Sequence, residues 1–108
     1  MAYDEALAER IRDRLRETDG VTEKKMFGGL AFLAQGNMTV GVMGDDLIVR
    51  VGPDAMDAAL TQPGARVFEM AGRQSKGWVV VDGATLDDDL LAGWIARGAA
   101  FAGTLPPK

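Results

Sequence analysis

Short β-prone runs separated by glycine-containing turns occupy the middle of the chain, and their spacing leaves few folds open. Turn sequences around Gly36 and Gly44 separate the runs, and connections this short favour antiparallel hairpins. Met38, Val40 and Val42 alternate with other residues, as a strand with one buried face requires. The pattern predicts three consecutive antiparallel strands, at about residues 25–33, 37–43 and 47–51.

Helical patterns flank and interrupt these strands. Leu7, Ile11 and Leu15 are spaced four apart, which is typical of an amphipathic helix. The other predicted elements are a short helix at 53–61, strands at 66–70 and 77–81 joined by a loop at 71–76, and a helix at 88–102. The order α-β-β-β-α-β-β-α predicts an α+β fold with an antiparallel sheet packed against helices.

The length of 108 residues favours a single domain over residues 1–108, because two domains sharing this length would each need disulfides or metals for stability. The chain has no Cys and no His. This excludes Ser-His-Asp triads, thiolate nucleophiles, disulfides and Cys/His zinc sites. Carboxylate, Lys or Tyr chemistry and oxygen-bound hard cations stay open. We predict no cofactor.

The formal net charge is −4, which argues against direct nucleic-acid binding, since that requires many phosphate-neutralising cations. The first residues show no basic and apolar signal pattern, and the apolar runs are far shorter than a membrane span of about 20 residues. We therefore expect a cytoplasmic protein without membrane contact.

Three short motifs suggest sites and also have simpler structural interpretations. Gly28-Gly29 follows two lysines, but a phosphate loop has its Lys after the glycines, so a bulge or a close backbone approach is favoured. Asp45-Asp46 is interpreted as a turn, because adjacent carboxylates on an extended segment point opposite ways. The acidic run beginning at Asp87 fits a helix start. We predict no metal site.

Six cations lie between residues 24 and 81, where only five acidic residues occur, so this region carries a net charge of +1 while the chain carries −4. Such a region predicts a basic surface for an acidic partner or an anionic ligand, and the alternative is a solvated rim. The candidate interaction residues are Lys24, Lys25, Arg50, Arg66, Arg73 and Lys76.

An ordered set of short motifs resembles the N-terminal domain of the TfoX/Sxy family over nearly the whole chain. The motifs are Lys25-Met26-Phe27-Gly28-Gly29-Leu30-Ala31-Phe32, Gly36-Asn37-Met38, Gly41-Val42, Asp46-Leu47, Arg50-Val51-Gly52-Pro53, Phe68-Glu69-Met70, Lys76-Gly77-Trp78-Val79, Trp94 and Leu105-Pro106. The resemblance implies a curved antiparallel sheet and no known catalytic residues. Full-length members regulate natural competence and carry a second, C-terminal domain that this chain does not show, so a competence role is not carried over.

The leading hypothesis is that the chain is a noncatalytic protein-interaction module. Its partner would be a protein, and the transcription machinery is one candidate. Its contact residues would be the loop at 71–76 together with Arg66, Arg73 and Lys76. The alternative is a small-molecule binder or an enzyme that uses Lys25, Asp46 or Lys76 at a groove beside the sheet. A two-fold homodimer is also left open by the sequence.

Overall fold

A computed structural model describes residues 3–16, 18, 20–26, 28–70 and 72–106 of the chain, without the side chains of Met26, Met70 and Ser75. The helices are α1 (Glu5–Leu15), α2 (Met56–Leu60) and α3 (Asp88–Ala102). Aspartates cap the two long helices. The Asp4 carboxylate accepts a hydrogen bond from the Ala6 amide, and the Asp87 carboxylate accepts one of 2.8 Å from the Leu90 amide. Asp87 thus starts α3, as the acidic run predicts.

In the described part of the chain, six strands form one sheet in which every neighbouring pair is antiparallel. The sheet order is β1-β2-β3-β4-β6-β5, so β6 lies between β4 and β5, and β1 and β5 form the two edges. The helices and this sheet confirm the predicted α+β class. The strands are β1 (Val21–Met26), β2 (Gly29–Ala34), β3 (Asn37–Met43), β4 (Asp46–Arg50), β5 (Ala65–Met70) and β6 (Arg73–Val81).

The first predicted strand, at residues 25–33, is in fact two strands. β1 ends at Met26, β2 begins at Gly29, and the two strands pair antiparallel; Phe27 lies outside the described residues. Gly28 has a φ of +75°, a conformation that glycine adopts without steric cost. A Cβ on Gly29 would lie 2.0 Å from the Val42 carbonyl oxygen, so the close backbone approach predicted for this pair is confirmed there.

The predicted loop at residues 71–76 is wrong for most of its length, because β6 begins at Arg73 rather than at Gly77. Ala71 lies outside the described residues, and Gly72 has a φ of +79°. β6 continues through Gly77, where φ is +91°. Backbone pairing with β5 makes this polar stretch a strand, since Glu69 pairs with Gln74 and Met70 with Arg73.

All three helices pack against one face of the sheet, which we call the first face. Its buried cluster includes Ile11 of α1, Ala59 of α2 and Trp94 of α3. From the strands it takes mainly β-branched and aliphatic side chains, among them Val40, Val42, Leu47, Val49, Val79 and Val81. Most alternating strand residues therefore join the helices in one core, as their spacing indicates. Met38 is the exception: the register shift in β3 places it on the opposite face from Val40 and Val42, so the prediction of one shared face is wrong for Met38. No described helix is long and apolar enough to cross a membrane.

One strand irregularity sets how closely α3 approaches the sheet. Phe32 pairs with Val40 whereas Leu33 pairs with Met38, so Thr39 is an extra residue in β3 and forms a β-bulge. A Cβ on Gly98 of α3 would lie 2.6 Å from the Thr39 carbonyl oxygen. The helix backbone therefore rests almost directly on the bulge.

The opposite side of the sheet, the second face, carries a smaller apolar cluster. Its buried members are Ala31, Met38, Ile48, Phe68 and Val80. Leu33, Met43 and Trp78 pack against them and are only partly buried. None of these residues belongs to a helix. Within the described parts of the chain, this apolar face is formed by strands alone.

Candidate functional site

The strand order places the six predicted cations on two separate parts of the sheet. Lys24 and Lys25 lie on the edge strand β1, whereas Arg66 lies on the opposite edge strand, β5. Arg73 and Lys76 lie in β6, next to β5, and all five side chains are exposed. The structure therefore divides these cations between two regions and does not join them in one basic surface.

Arg66 is held by an ion pair. Its Nη2 lies 3.0 Å from Oδ2 of Asp46, and the other oxygen of Asp46 accepts a hydrogen bond of 3.4 Å from the Gly83 amide. Asp46 thus joins the start of β4 to β5 and to the turn after β6. Among the described residues, no three acidic side chains come together in a way that could hold a metal ion. The acidic pair Asp45-Asp46 lies at the turn between β3 and β4, as predicted.

The three residues considered for catalysis lie on three different strands. Lys25 is on β1, Asp46 on β4 and Lys76 on β6, and β2 and β3 separate the first from the second. Asp46 is also already engaged by Arg66. The structure does not place these residues around one groove.

Arg50, at the end of β4, is arranged differently from the other predicted cations. Its guanidinium carbon lies 5.3 Å from the centroid of the Trp78 ring and 5.3 Å from that of the Phe101 ring. Trp78 is its cross-strand neighbour on β6, and Phe101 reaches it from α3. These are cation–π distances, so two aromatic rings fix the position of the guanidinium.

Two glycines allow this close packing around Arg50. The Gly77 carbonyl accepts hydrogen bonds from the amides of Val51, at 2.9 Å, and Gly52, at 3.0 Å. A Cβ on Gly52 would lie 2.5 Å from the Phe101 ring, and one on Gly77 would lie 3.2 Å from the Pro53 nitrogen. The segment after Arg50 is therefore hydrogen-bonded to Gly77 of β6, and the absence of a side chain on Gly52 leaves room for the Phe101 ring.

A groove of about 440 Å³ lies between α1 and the strands β1 and β2. Arg12 and Glu23 form part of its wall and bind each other through two hydrogen bonds, of 2.6 Å and 2.7 Å, while a third arginine nitrogen lies 2.7 Å from Glu9. These bonds make Arg12 a bidentate partner of Glu23 and lower the pKa of the Glu23 carboxyl. The two oppositely charged side chains in the wall of the groove, Arg12 and Glu23, are thus paired with each other.

This ion pair predicts a stability change at acidic pH. Because the folded-state pKa of Glu23 is depressed, its contribution is present above the unfolded-state pKa of about 4.3 and is lost as the pH falls through the folded value. We expect Glu23→Gln to lower the free energy of unfolding at neutral pH by up to ~1 kcal/mol, the range of surface pairs, and to change it little near pH 3. Urea unfolding across this pH range measures the difference.

The control is Glu69→Gln, which removes an exposed carboxylate without a described ion pair. If Glu23→Gln lowered the free energy of unfolding equally at both pH values, the prediction would be contradicted.

A comparison with protein families agrees with the motifs quoted from the sequence. A family model described as the TfoX N-terminal domain matches residues 13–102, which is most of the chain. The chain belongs to the TfoX N-terminal domain family. Neither the curated proteins nor the solved structures contain a significant match to it.

The residues that resemble the TfoX N-terminal domain have clear structural roles. Gly29 permits the close approach of β2 to β3, and Gly52 and Gly77 permit the packing around Arg50. Asn37, buried at the start of β3, donates a hydrogen bond of 2.9 Å to the Pro106 carbonyl and so ties the segment after α3 to the sheet. These TfoX motifs therefore lie where separate segments of the fold meet.

Two contacts of the candidate site could not be predicted from sequence. Phe101 covers one side of Arg50, and Arg97, one turn earlier on α3, lies with its guanidinium carbon 5.4 Å from the Trp94 ring centroid. The helical spacing of Arg97 and Phe101 places them on one flank of α3. Nothing local indicates that this flank faces the end of β4.

Proposed function

We propose that the chain is a noncatalytic protein-interaction module. The observation that carries this proposal is the second face, where the half-buried side chains of Leu33, Met43 and Trp78 surround a buried apolar cluster that no described helix covers. Partly exposed apolar side chains grouped on one face are typical of protein contacts, and Trp and Met are enriched in them. A protein partner would bury the exposed parts of Leu33, Met43 and Trp78.

Exposed cations lie beside this face and supply a polar border. Arg73 and Lys76 are exposed on β6 and form no ion pair with a described residue, in contrast to Arg66. A polar, charged rim around an apolar centre is the ordinary anatomy of a protein interface. The predicted contacts Arg73 and Lys76 therefore suit a partner that approaches from the β5–β6 side.

The partner class follows from charge and family together. The net charge of −4 disfavours a long polyanion, so we propose a protein rather than a nucleic acid. Because the TfoX/Sxy family includes transcription regulators, RNA polymerase and transcription activators are the first partners to test. A two-fold homodimer is the competing occupant, and size measurement distinguishes it.

Affinity capture of the tagged protein from its native lysate, with and without nuclease, tests the proposal. We expect nuclease-resistant enrichment of specific proteins that is reduced at least about tenfold by the pair Arg73→Glu and Lys76→Glu, because reversed rim charges slow association and repel an acidic partner. Lys24→Glu with Lys25→Glu gives the same change in net charge on the opposite edge and is the matched control.

Three outcomes would overturn parts of this proposal. An empty capture would remove the interaction module itself and would leave small-molecule binding to be tested. Loss of captured proteins after nuclease treatment would replace the protein partner by nucleic acid. Equal capture by the wild type and the Arg73→Glu, Lys76→Glu variant would remove these two residues from the contact surface.

A further inference from the structure

The guanidinium of Arg50 is held by aromatic rings, whereas those of most other described arginines are held by hydrogen bonds or ion pairs. Arg10, Arg12 and Arg16 on α1 and Arg66 on β5 each form an ion pair with a carboxylate, and Arg14 donates to the Asp88 carbonyl. Arg50 has two aromatic rings and no described hydrogen bond or ion pair. Its charge is therefore positioned but not neutralised.

The donors of Arg50 are positioned and retain some access to solvent. No buried side-chain nitrogen or oxygen among the described residues lacks a hydrogen-bond partner. Since the Arg50 nitrogens have no such partner, they are not completely buried, and the residue as a whole is partly exposed. The rings of Trp78 and Phe101 already restrict the Arg50 side chain. Binding of a ligand would therefore cost less side-chain conformational entropy than it would at a freely rotating arginine.

The surroundings of Arg50 indicate what kind of ligand it fits. A planar guanidinium with free edges matches a carboxylate through two parallel hydrogen bonds. Trp78 is partly buried against the second face, so apolar surface lies directly beside the charge. Arg97, one turn from Phe101 and also without a described ion pair, adds positive potential on the same flank of α3.

We propose that Arg50, held between Trp78 and Phe101, is a receptor for the carboxylate of an acidic, partly apolar segment of a protein partner. This inference rests on the proposed function and specifies the chemistry of its partner. Salt screens charges beyond about 8–10 Å. The carboxylates of a short segment bound at Arg50 are therefore attracted by the nearby cations Arg50 and Arg97 more strongly than they are repelled by the net negative charge of the whole chain. A polyphosphate chain would extend over the negative parts of the molecule and is disfavoured.

A titration of the wild-type chain followed by nuclear magnetic resonance tests the receptor directly. The probe is the blocked peptide acetyl-Leu-Phe-Glu-Glu-Leu-amide, and its twin with Gln in place of both Glu residues is the ligand control. We expect the acidic peptide to shift the Arg50 Nε–H and Trp78 Nε1–H signals saturably up to millimolar concentration. The Gln twin should shift the Arg50 signal little, because neutral amides form weaker hydrogen bonds with a guanidinium.

Three variants distinguish how the charge of Arg50, the planar shape of its guanidinium and the net charge of the chain each affect peptide binding. Arg50→Met keeps an apolar chain against the rings and removes the donors, and we expect it to raise the peptide Kd roughly tenfold. Arg50→Lys keeps the charge without the planar fork and should bind with an intermediate Kd. Arg14→Met, which alters an exposed arginine on α1 and changes the net charge equally, should leave the Kd unchanged.

The receptor would be overturned if the acidic peptide failed to shift the Arg50 signal, or if the Gln twin shifted it equally. Stronger binding of an oligothymidylate at Arg50 would assign the site to nucleic acid, and a concentration-dependent Arg50 shift without peptide would assign it to a second copy of the chain. An empty lysate capture with intact peptide binding would reject only the proposed function. Undiminished capture by Arg50→Met, together with absent peptide binding, would reject only the receptor.

Discussion

Replacing Trp94 with alanine is expected to lower the free energy of unfolding by ~3–5 kcal/mol, the usual cost of truncating a buried aromatic side chain to alanine. Trp94 is 2% exposed and lies in the first-face core, on the side of α3 that packs against β3 and β4. Its removal would leave a cavity between the helix and the sheet. The surrounding backbone, tied down by strand pairing, would refill that cavity only in part.

Chemical denaturation followed by far-ultraviolet circular dichroism measures this loss. Trp78→Ala provides a matched comparison, because the same side chain is truncated at a half-exposed position on the second face. We expect its loss to be clearly smaller, since less apolar area leaves a water-free environment. An unchanged denaturation midpoint for Trp94→Ala would show that this residue does not support the core.

Substitution of two glycines in α3 by alanine is expected to change stability in opposite directions. A Cβ on Gly98 would lie 2.6 Å from the Thr39 carbonyl oxygen and 3.1 Å from the Val40 side chain, so the helix or the bulge must move. We expect Gly98→Ala to destabilise the protein by ~1–3 kcal/mol, as overpacking of a well-packed contact does. The gain in helix propensity of up to ~1 kcal/mol offsets only part of this cost.

Gly93 provides the internal control on the same helix. It is exposed, and an added Cβ would meet no atom within 4 Å. Gly93→Ala should therefore stabilise the protein by ~0.5–1 kcal/mol through helix propensity alone. Thermal and denaturant unfolding of the two variants gives the signs. A stabilising Gly98→Ala would mean that α3 does not rest on the bulge as described.

Sequence periodicity predicted the elements whose first-face residues recur at a regular spacing. The spacing of Leu7, Ile11 and Leu15 indicated α1, and the alternation of Val40 and Val42 indicated β3; all of these side chains lie in the first-face core. Such patterns can be recognised in the sequence because the apolar residues that recur at this spacing all pack into the same core between the sheet and the helices. The α+β class followed from the order of these elements.

The missed strand boundaries have a different origin. The end of β1 and the start of β2 lie within one run of β-prone residues, so Gly28 resembled a bulge in a single long strand. The first half of β6 is polar, and it is a strand because Arg73 and Gln74 pair with β5, not because it alternates. Backbone pairing of this kind leaves no hydrophobic pattern in the sequence.

The candidate site was predicted by residue type but not by arrangement. Arg50 was recognised as one of six cations, yet its two aromatic partners depend on β6 lying beside β4 and on α3 crossing the end of that strand. The same strand order separates Lys24 and Lys25 from Arg66. Strand order is decided by long-range packing, which local sequence does not encode in a readable way.

Lys24 and Lys25 lie on the edge strand β1, where charged side chains oppose aggregation through strand addition. Among the described strands, β1 has a neighbour on one side only. Its two lysines project to opposite faces, since Lys24 pairs with Ala31 of the second-face cluster and Lys25 with Leu30 of the first. Any foreign strand that added to this edge would have to bring its side chains beside a cation above and a cation below the sheet. Lysines on edge strands discourage such additions, so these two residues favour a chain that stays dispersed at high concentration.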